Sequence, residues 1–276
     1  MIPFEKYNNN GNTKCSFIHG NGFPPLTYKS LLTELSNELD ITSMLLRPHW
    51  KKTTSPYKLD NWRLFVNDFI QHANEQKIKN TVGIGHSIGG NIILKAAIKN
   101  QEIFKSIVLL DPTIFAPSII YLWKLLSLFP KALENFPLAK AARYRKTSYI
   151  SKQEIFISYR KKDIFKNIQD KQLNEYIDSI FMKSESNYEL NFSNIWEEKI
   201  FLKSVYDDMY VWKNLLKVKI PVLIIKPDSN PVFRLNAVRK ISKNKNIKVI
   251  TLKNSSHLFP LEQYKETTDI ISDFLF

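Results

Sequence analysis

With 276 residues, 43% of them hydrophobic and 24% charged, the chain is long enough to bury a sizeable core, as one large domain or a domain with an insertion. No stretch reaches the roughly 18 to 20 consecutive apolar residues that span a bilayer, and the start, MIPFEKYNNN, lacks the apolar run of a signal peptide, so stable membrane insertion is not expected. The formal net charge of +14 invites a nucleic-acid reading, but Lys and Arg are scattered, with only short groups such as YRKK at 159–162; a solvated basic surface is the simpler account and no nucleic-acid partner is expected. The single cysteine, Cys15, cannot form an internal disulfide, which makes a reducing cytoplasm the expected location.

In chain order, short apolar runs that read as buried parallel strands alternate with amphipathic helical patterns. KCSFI (14–18) comes first, followed by TYKSLLTELSNEL (27–39), in which Leu31, Leu32, Leu35 and Leu39 share one helical face. ITSMLL (41–46) is the next strand. The helix DNWRLFVNDFIQHANEQ (60–76) is expected to be capped by Asp60, with Trp62, Phe65, Val66, Phe69 and Ile70 facing inward and His72 on the surface. TVGIG (81–85), SIVLL (106–110), PVLIIK (221–226) and IKVITL (247–252) complete the strands. This order predicts an α/β fold with a mainly parallel sheet, helices on both faces and a ligand site at the carboxyl ends of the strands. Between about Pro112 and Asn214 the alternation gives way to an aromatic-rich, helical pattern. The expected organisation is a core of residues 1–111 and 214–276 with a helical cap, 112–213, inserted between core strands.

The glycines carry the chemistry. Of only seven, two stand in HGNGF (19–23) and four in TVGIGHSIGG (81–90). A G-x-S-x-G string that follows a strand and precedes a helical run has the context of a nucleophile elbow, which presents Ser87 on a sharp turn. Gly85 and Gly89 remove side chains where strand and helix pass closely, and a helix starting near Asn91 points its positive end at the turn. An acyl-transfer site also needs oxyanion donors. Ile88 supplies one backbone N–H, and the loop at Asn21 supplies the second, with the Asn21 side chain as an extra candidate. Of five histidines, His257, in the loop after the last strand, is the candidate base for Ser87. His19 and His86 are expected to pack within their loops, and His49 is an outside candidate for lining the pocket.

HGNGF, GHSIGG and SSHLFPLE, in this order and at these spacings, resemble the α/β-hydrolase superfamily over nearly the whole chain. The resemblance implies Ser87 as nucleophile, His257 as base, Asn21 and Ile88 as oxyanion donors, residues 112–213 as the variable cap, and a reduced N-terminal hairpin. It leaves the acid open. Where family members commonly carry G-x-x-D, this chain reads KPDSN, with Pro227 and Asn230 at those positions. Asp111, after SIVLL, and Asp228 are the two carboxylate candidates, and Asn230 the third possibility. The resemblance thus implies a serine hydrolase acting on a small-molecule ester of small to medium, moderately hydrophobic acyl groups, with no cofactor or metal. The aromatic residues Phe115, Tyr121, Trp123, Phe129, Trp196, Tyr206 and Trp212 are candidates for an apolar acyl pocket. Lactonase, thioesterase and carbon–carbon bond hydrolase share the triad. A non-catalytic binding protein is the rival from another class, separated from the enzymes by whether a carboxylate reaches the second imidazole nitrogen of His257.

Overall fold

A computed structural model describes residues 1–129, 133, 135–229, 232, 240–241 and 243–276. Seven strands form one sheet: β1 (Phe4–Tyr7), β2 (Thr13–Ile18), β3 (Leu39–Met44), β4 (Thr81–His86), β5 (Phe104–Leu110), β9 (Val222–Pro227) and β10 (Ile247–Leu252), in the order β1-β3-β2-β4-β5-β9-β10. All neighbours run parallel except β1, which pairs antiparallel with β3. The central strands β4 and β5 are almost wholly buried, which explains their continuous apolar character, whereas β10 at the edge has both exposed and half-buried positions. The expected mainly parallel sheet is therefore present, with β1 as its antiparallel edge strand.

One face of the sheet packs on α1 (Lys29–Leu35) and on the last helix, Tyr264–Leu275, through a cluster that includes Phe17, Leu31, Leu35 and Ile271. The other packs on α2 (Arg63–Glu75) and α3 (Ile88–Lys99) through Phe65, Phe69, Ile92 and Ile93. Three local expectations are corrected. Leu39 belongs to β3, because the chain turns at Ser36 and Leu39 then pairs with Thr13. Helix α2 begins at Arg63, whose N–H donates to the Asn61 side chain at 2.9 Å, so Asp60 does not cap it. His72 is buried, not on the surface, because the N-terminal strand brings the Phe4 ring to 5.3 Å from its imidazole.

Between β5 and β9 lie six α-helices among the described residues: α4 (Pro117–Leu126), then Pro137–Arg143, Lys152–Arg160, Asp170–Ile180, Asn194–Leu202 and Met209–Asn214. This segment also contains a small antiparallel sheet, β6 (Ser148–Tyr149), β8 (Tyr188–Leu190) and β7 (Phe181–Lys183), which its helical periodicity does not announce. Tyr149, Tyr159, Leu173, Tyr176 and Phe181 form an apolar cluster that Leu258 and Leu261 of the core join. The segment is tied to the core by directional bonds as well. Trp62 Nε1 donates to the Ile200 carbonyl at 2.9 Å. The fully buried Asp208 accepts from Asn91 Nδ2 and Lys95 Nζ, both at 2.8 Å, and from the Phe115 N–H at 2.9 Å. A buried lysine on α3 is tolerable because that carboxylate meets it, with Asp207 Oδ2 at 3.8 Å as a second, more distant partner.

Candidate active site

At the carboxyl end of β4 the chain turns through Ser87 at φ 57° and ψ −118° and enters α3 at Ile88, three residues earlier than the sequence suggests. Asn91 is not at the start of the helix; its side chain reaches the Thr113 carbonyl at 2.7 Å as well as Asp208. The turn requires close approach. A Cβ at Gly85 would lie 2.4 Å from the Gly89 backbone, and one at Gly89 only 2.0 Å from the Ile18 carbonyl oxygen at the end of β2. With a positive φ held between these contacts, the Ser87 side chain projects toward a cavity of about 430 Å³ that it lines together with Gly20, Asn21, Ile88, Thr113 and His257. The Ser87 hydroxyl is 3.2 Å from Thr113 Oγ1.

His257 follows β10 and is about one-quarter exposed, while Asp111, at the end of β5, is completely buried. His257 Nδ1 lies 2.6 Å from Asp111 Oδ2. The same carboxylate oxygen accepts the Val232 N–H at 3.1 Å. Asp111 adopts φ 36°, in the left-handed region that aspartate tolerates better than most residues. Asp228 is exposed and engaged elsewhere, accepting the N–H groups of Asn254 and Ser255 at 2.9 and 3.1 Å, which hold its carboxyl below the usual range. The geometry therefore brings Asp111, not Asp228, to the imidazole. Asn230 lies outside the described residues.

The Ile88 N–H is the first of α3 and has no acceptor within the helix, so it is directed out of the helix start beside Ser87. Asn21 lies in the turn Gly20–Phe23, closed by the Phe23 N–H donating to the Gly20 carbonyl at 3.2 Å. Its side chain is not an additional donor toward the cavity: Asn21 Nδ2 donates to the Glu197 carbonyl at 3.0 Å, on the segment above. The carboxylate of Glu197 in turn takes Arg145 Nη2 at 2.6 Å, and burial raises its pKa while the guanidinium lowers it.

A second set of bonds, centred on residues the motifs leave without a role, joins the three loops. The Gly20 N–H donates to Tyr28 Oη at 3.1 Å, Tyr28 Oη is 2.7 Å from His86 Nδ1, and His86 Nε2 is 2.9 Å from the His257 carbonyl. A carbonyl can only accept, so His86 Nε2 carries the proton and Nδ1 accepts from the tyrosine hydroxyl. Burial, with the nearby His257 adding to it, pushes the His86 pKa well below its ordinary value and keeps the ring neutral. His19 is likewise buried, with its pKa pushed down to about 4, and its Nε2 accepts the Leu46 N–H at 3.0 Å. His49 packs edge-on against His19 and tilted against Phe192 and does not line the cavity.

Among the seven aromatic candidates only Phe115 lines the cavity. Trp123 and Trp196 are buried in packing clusters, Tyr206 and Trp212 pack beside Trp123, and Tyr121 and Phe129 face solvent. The apolar wall comes instead from residues such as Phe23, Ile119, Phe136, Leu138, Ile164 and Leu258. Tyr28 and Thr113 escape sequence reasoning because neither belongs to a motif: a tyrosine opening a leucine-rich helix reads as core, and a threonine after Asp-Pro reads as a turn. Among the described residues no group of three or more His, Cys, Asp or Glu side chains could hold a metal ion, and no helix is long and apolar enough to cross a membrane.

A family model described as the alpha/beta hydrolase family matches residues 17–270. The chain is similar to the uncharacterized hydrolase YugF of Bacillus subtilis (strain 168), 30% identical over 112 residues, which cover 40% of each chain. It is also similar to the type I acyl-CoA thioesterase mpaH' of Penicillium brevicompactum, 32% identical over 111 residues that cover 35% of this chain and 25% of that one. The match thus spans well under half the length of these relatives. Among solved structures, E-2-(acetamidomethylene)succinate hydrolase superposes with a TM-score of 0.79 at 16% identity, over 99% of this chain and 94% of that chain, a likeness of fold.

Proposed function

The chain belongs to the alpha/beta hydrolase family, and from that premise we propose that it is a serine hydrolase cleaving carboxylic esters of small to medium, moderately hydrophobic acyl groups. The observation that carries this reading is the 2.6 Å contact between Asp111 Oδ2 and Nδ1 of His257, which lines the same cavity as Ser87. Ser87 Oγ leaves Thr113 and attacks the acyl carbonyl, and its proton passes to His257 Nε2. Asp111 holds the imidazole in the productive tautomer and stabilises the imidazolium that forms. The N–H groups of Asn21 and Ile88 receive the oxyanion. His257 then protonates the leaving alcohol, and water, deprotonated by the same nitrogen, releases the acid. In this reading residues 112–213 act as the cap. Its apolar wall favours the acyl chain, and the His257–Asp111 pair argues against a non-catalytic binding role.

A fluorophosphonate probe with peptide mapping, run beside a p-nitrophenyl ester chain-length series, tests the proposal. The expected result is labelling at Ser87 and ester turnover, both lost in Ser87→Ala with the fold retained. Turnover that survives Ser87→Ala would remove Ser87 from the reaction. The similarity to an acyl-CoA thioesterase supports a second reading, thioester cleavage by the same groups. Acyl-CoA substrates in the same series decide between the two, the better substrate class being the one with the higher kcat/KM.

A further inference from the structure

Helix α4 turns Ile120 and Trp123 inward, where they pack with Val205. Its outward positions are largely apolar, with Ser118 and Lys124 the exceptions. Leu122 and Leu125, one turn apart, are 52% and 58% exposed, and Tyr121 beside them is also open. Just beyond the helix Leu128 and Phe129 continue the patch, Phe129 at 62% exposure. Lys124 is the single charged residue of the helix. Contiguous exposed apolar surface of this kind on an otherwise charged protein marks a contact site.

This patch is continuous with the cavity. Ile119 on the same helix, Leu138 and Ile164 line the cavity wall and are at the same time exposed, so they form an apolar rim. The described lining contains no Lys, Arg, Asp or Glu. Charge supplies the second constraint. Residues 117–146 contain six basic side chains, Lys124, Lys131, Lys140, Arg143, Arg145 and Lys146, against one acid, Glu134. Arg143, Arg145 and Lys146 are neutralised by Glu198, Glu197 and Glu154. Lys124 and Lys140 are exposed and, among the described residues, have no ion-pair partner. A second copy of the chain on this face would set these lysines against their counterparts on a molecule of the same net charge of +14. An anionic lipid surface satisfies both features at once, since apolar side chains enter the acyl boundary while lysines meet phosphate headgroups.

We propose that α4 and the residues that follow it, through Phe129, dock on an anionic phospholipid surface, from which a neutral, lipid-like ester enters the cavity between Ile119, Leu138 and Ile164. The substrate clause rests on the hydrolase reading above, whereas docking does not require it. The test is co-sedimentation of the full chain with sucrose-loaded vesicles of phosphatidylcholine alone or mixed with phosphatidylglycerol, at low and at physiological salt. Binding is expected only to the mixed vesicles, and weaker as salt screens the lysines. The triple variant Leu122→Ser, Leu125→Ser, Phe129→Ser should lower the partition coefficient at least about tenfold, as the loss of two or three buried apolar side chains demands. Its turnover of water-soluble p-nitrophenyl acetate should stay unchanged. Absence of binding to mixed vesicles, wild-type binding by the triple variant, or a concentration-dependent dimer that the triple variant abolishes would each overturn the proposal. Sedimentation reads docking in an inactive protein too, so a failed hydrolase reading would leave its own trace in the turnover assay.

Discussion

The floor of the cavity and the wall above it are held in different ways. On the floor, His86, His257 and Thr113, with the buried Asp111 behind His257, are each fixed by hydrogen bonds of 2.6 to 3.2 Å to a partner elsewhere in the chain. On the wall, Ile119, Phe136, Leu138 and Ile164 meet the cavity with apolar side chains whose contacts have no preferred direction. Directional bonds place a reacting atom within a fraction of an ångström, while packing tolerates changes of shape. Substitutions on the floor should therefore act on kcat and those on the wall on the choice of substrate.

The largest effect expected from a single change that tests this contrast is Asp111→Asn, which should lower kcat by about four orders of magnitude. Asp228→Asn, in a turn away from the imidazole, should change it by no more than a few-fold; steady-state kinetics on one ester suffices, and the opposite ranking would move the acid to the later loop. Next in size is the pH dependence of stability set by the buried histidines of the cavity floor and of the packing behind it. Burial depresses the pKa of His19 to about 4, and of His49 and His86 well below 6.5. The unfolded chain, with pKa values near 6.5, takes up these protons first, so stability is complete above that pH and is lost as pH falls from 6.5 toward 4 and below. Each histidine contributes a slope of up to about 1.4 kcal/mol per pH unit. Urea midpoints measured across that range should decline steadily on acidification; a flat profile would mean that these rings are hydrated or paired.

Tyr28→Phe is expected to do less. It deprives the Gly20 N–H and His86 Nδ1 of their shared partner and should lower kcat about tenfold with KM little changed, equivalent to roughly 1.4 kcal/mol. A change in KM alone would make the tyrosine a packing residue. Smallest is Ile164→Ala on the wall, which should alter kcat/KM only about two- to fivefold and only for the longer esters of a chain-length series, reflecting lost apolar contact. An equal loss for acetate would mean that the wall, too, positions the reacting groups.

The parallel strands and the elbow turn are legible in the sequence because each depends on neighbouring residues. TVGIG and SIVLL can be buried on both faces only as central strands, and glycine is demanded wherever β4, α3 and the end of β2 nearly touch. The N-terminal edge strand and the small sheet between β5 and β9 were not legible, although the other edge strand, β10, was. Phe4–Tyr7 is a short strand of mixed polarity, and its cover over His72 is a contact between residues far apart in the chain. The strands β6 to β8 span two or three residues each, too few to establish a period. Asp111 and Asp228 both end strands that neighbour each other in the sheet, and which one meets an imidazole from the loop after β10 is decided by the path of that loop. The aromatic segment misled for a related reason: a tryptophan identifies apolar surroundings without saying whether they are core or cavity.

The bonds between floor and wall bear on how such a protein can be altered. Ser87 and His257 lie outside residues 112–213 and Asp111 directly before them, so grafting a foreign insert at those junctions transfers none of the three. The graft must still meet two debts left by the host. Asn21 Nδ2 would seek the carbonyl that Glu197 now offers, and Lys95, 1% exposed on α3, would need a carboxylate where Asp208 now stands. An insert without that carboxylate would strand a cation in the core, at a cost of about 3 to 5 kcal/mol. Chimeras that keep an aspartate in register with Asp208 should fold, and those lacking one should recover when Lys95 is replaced by methionine.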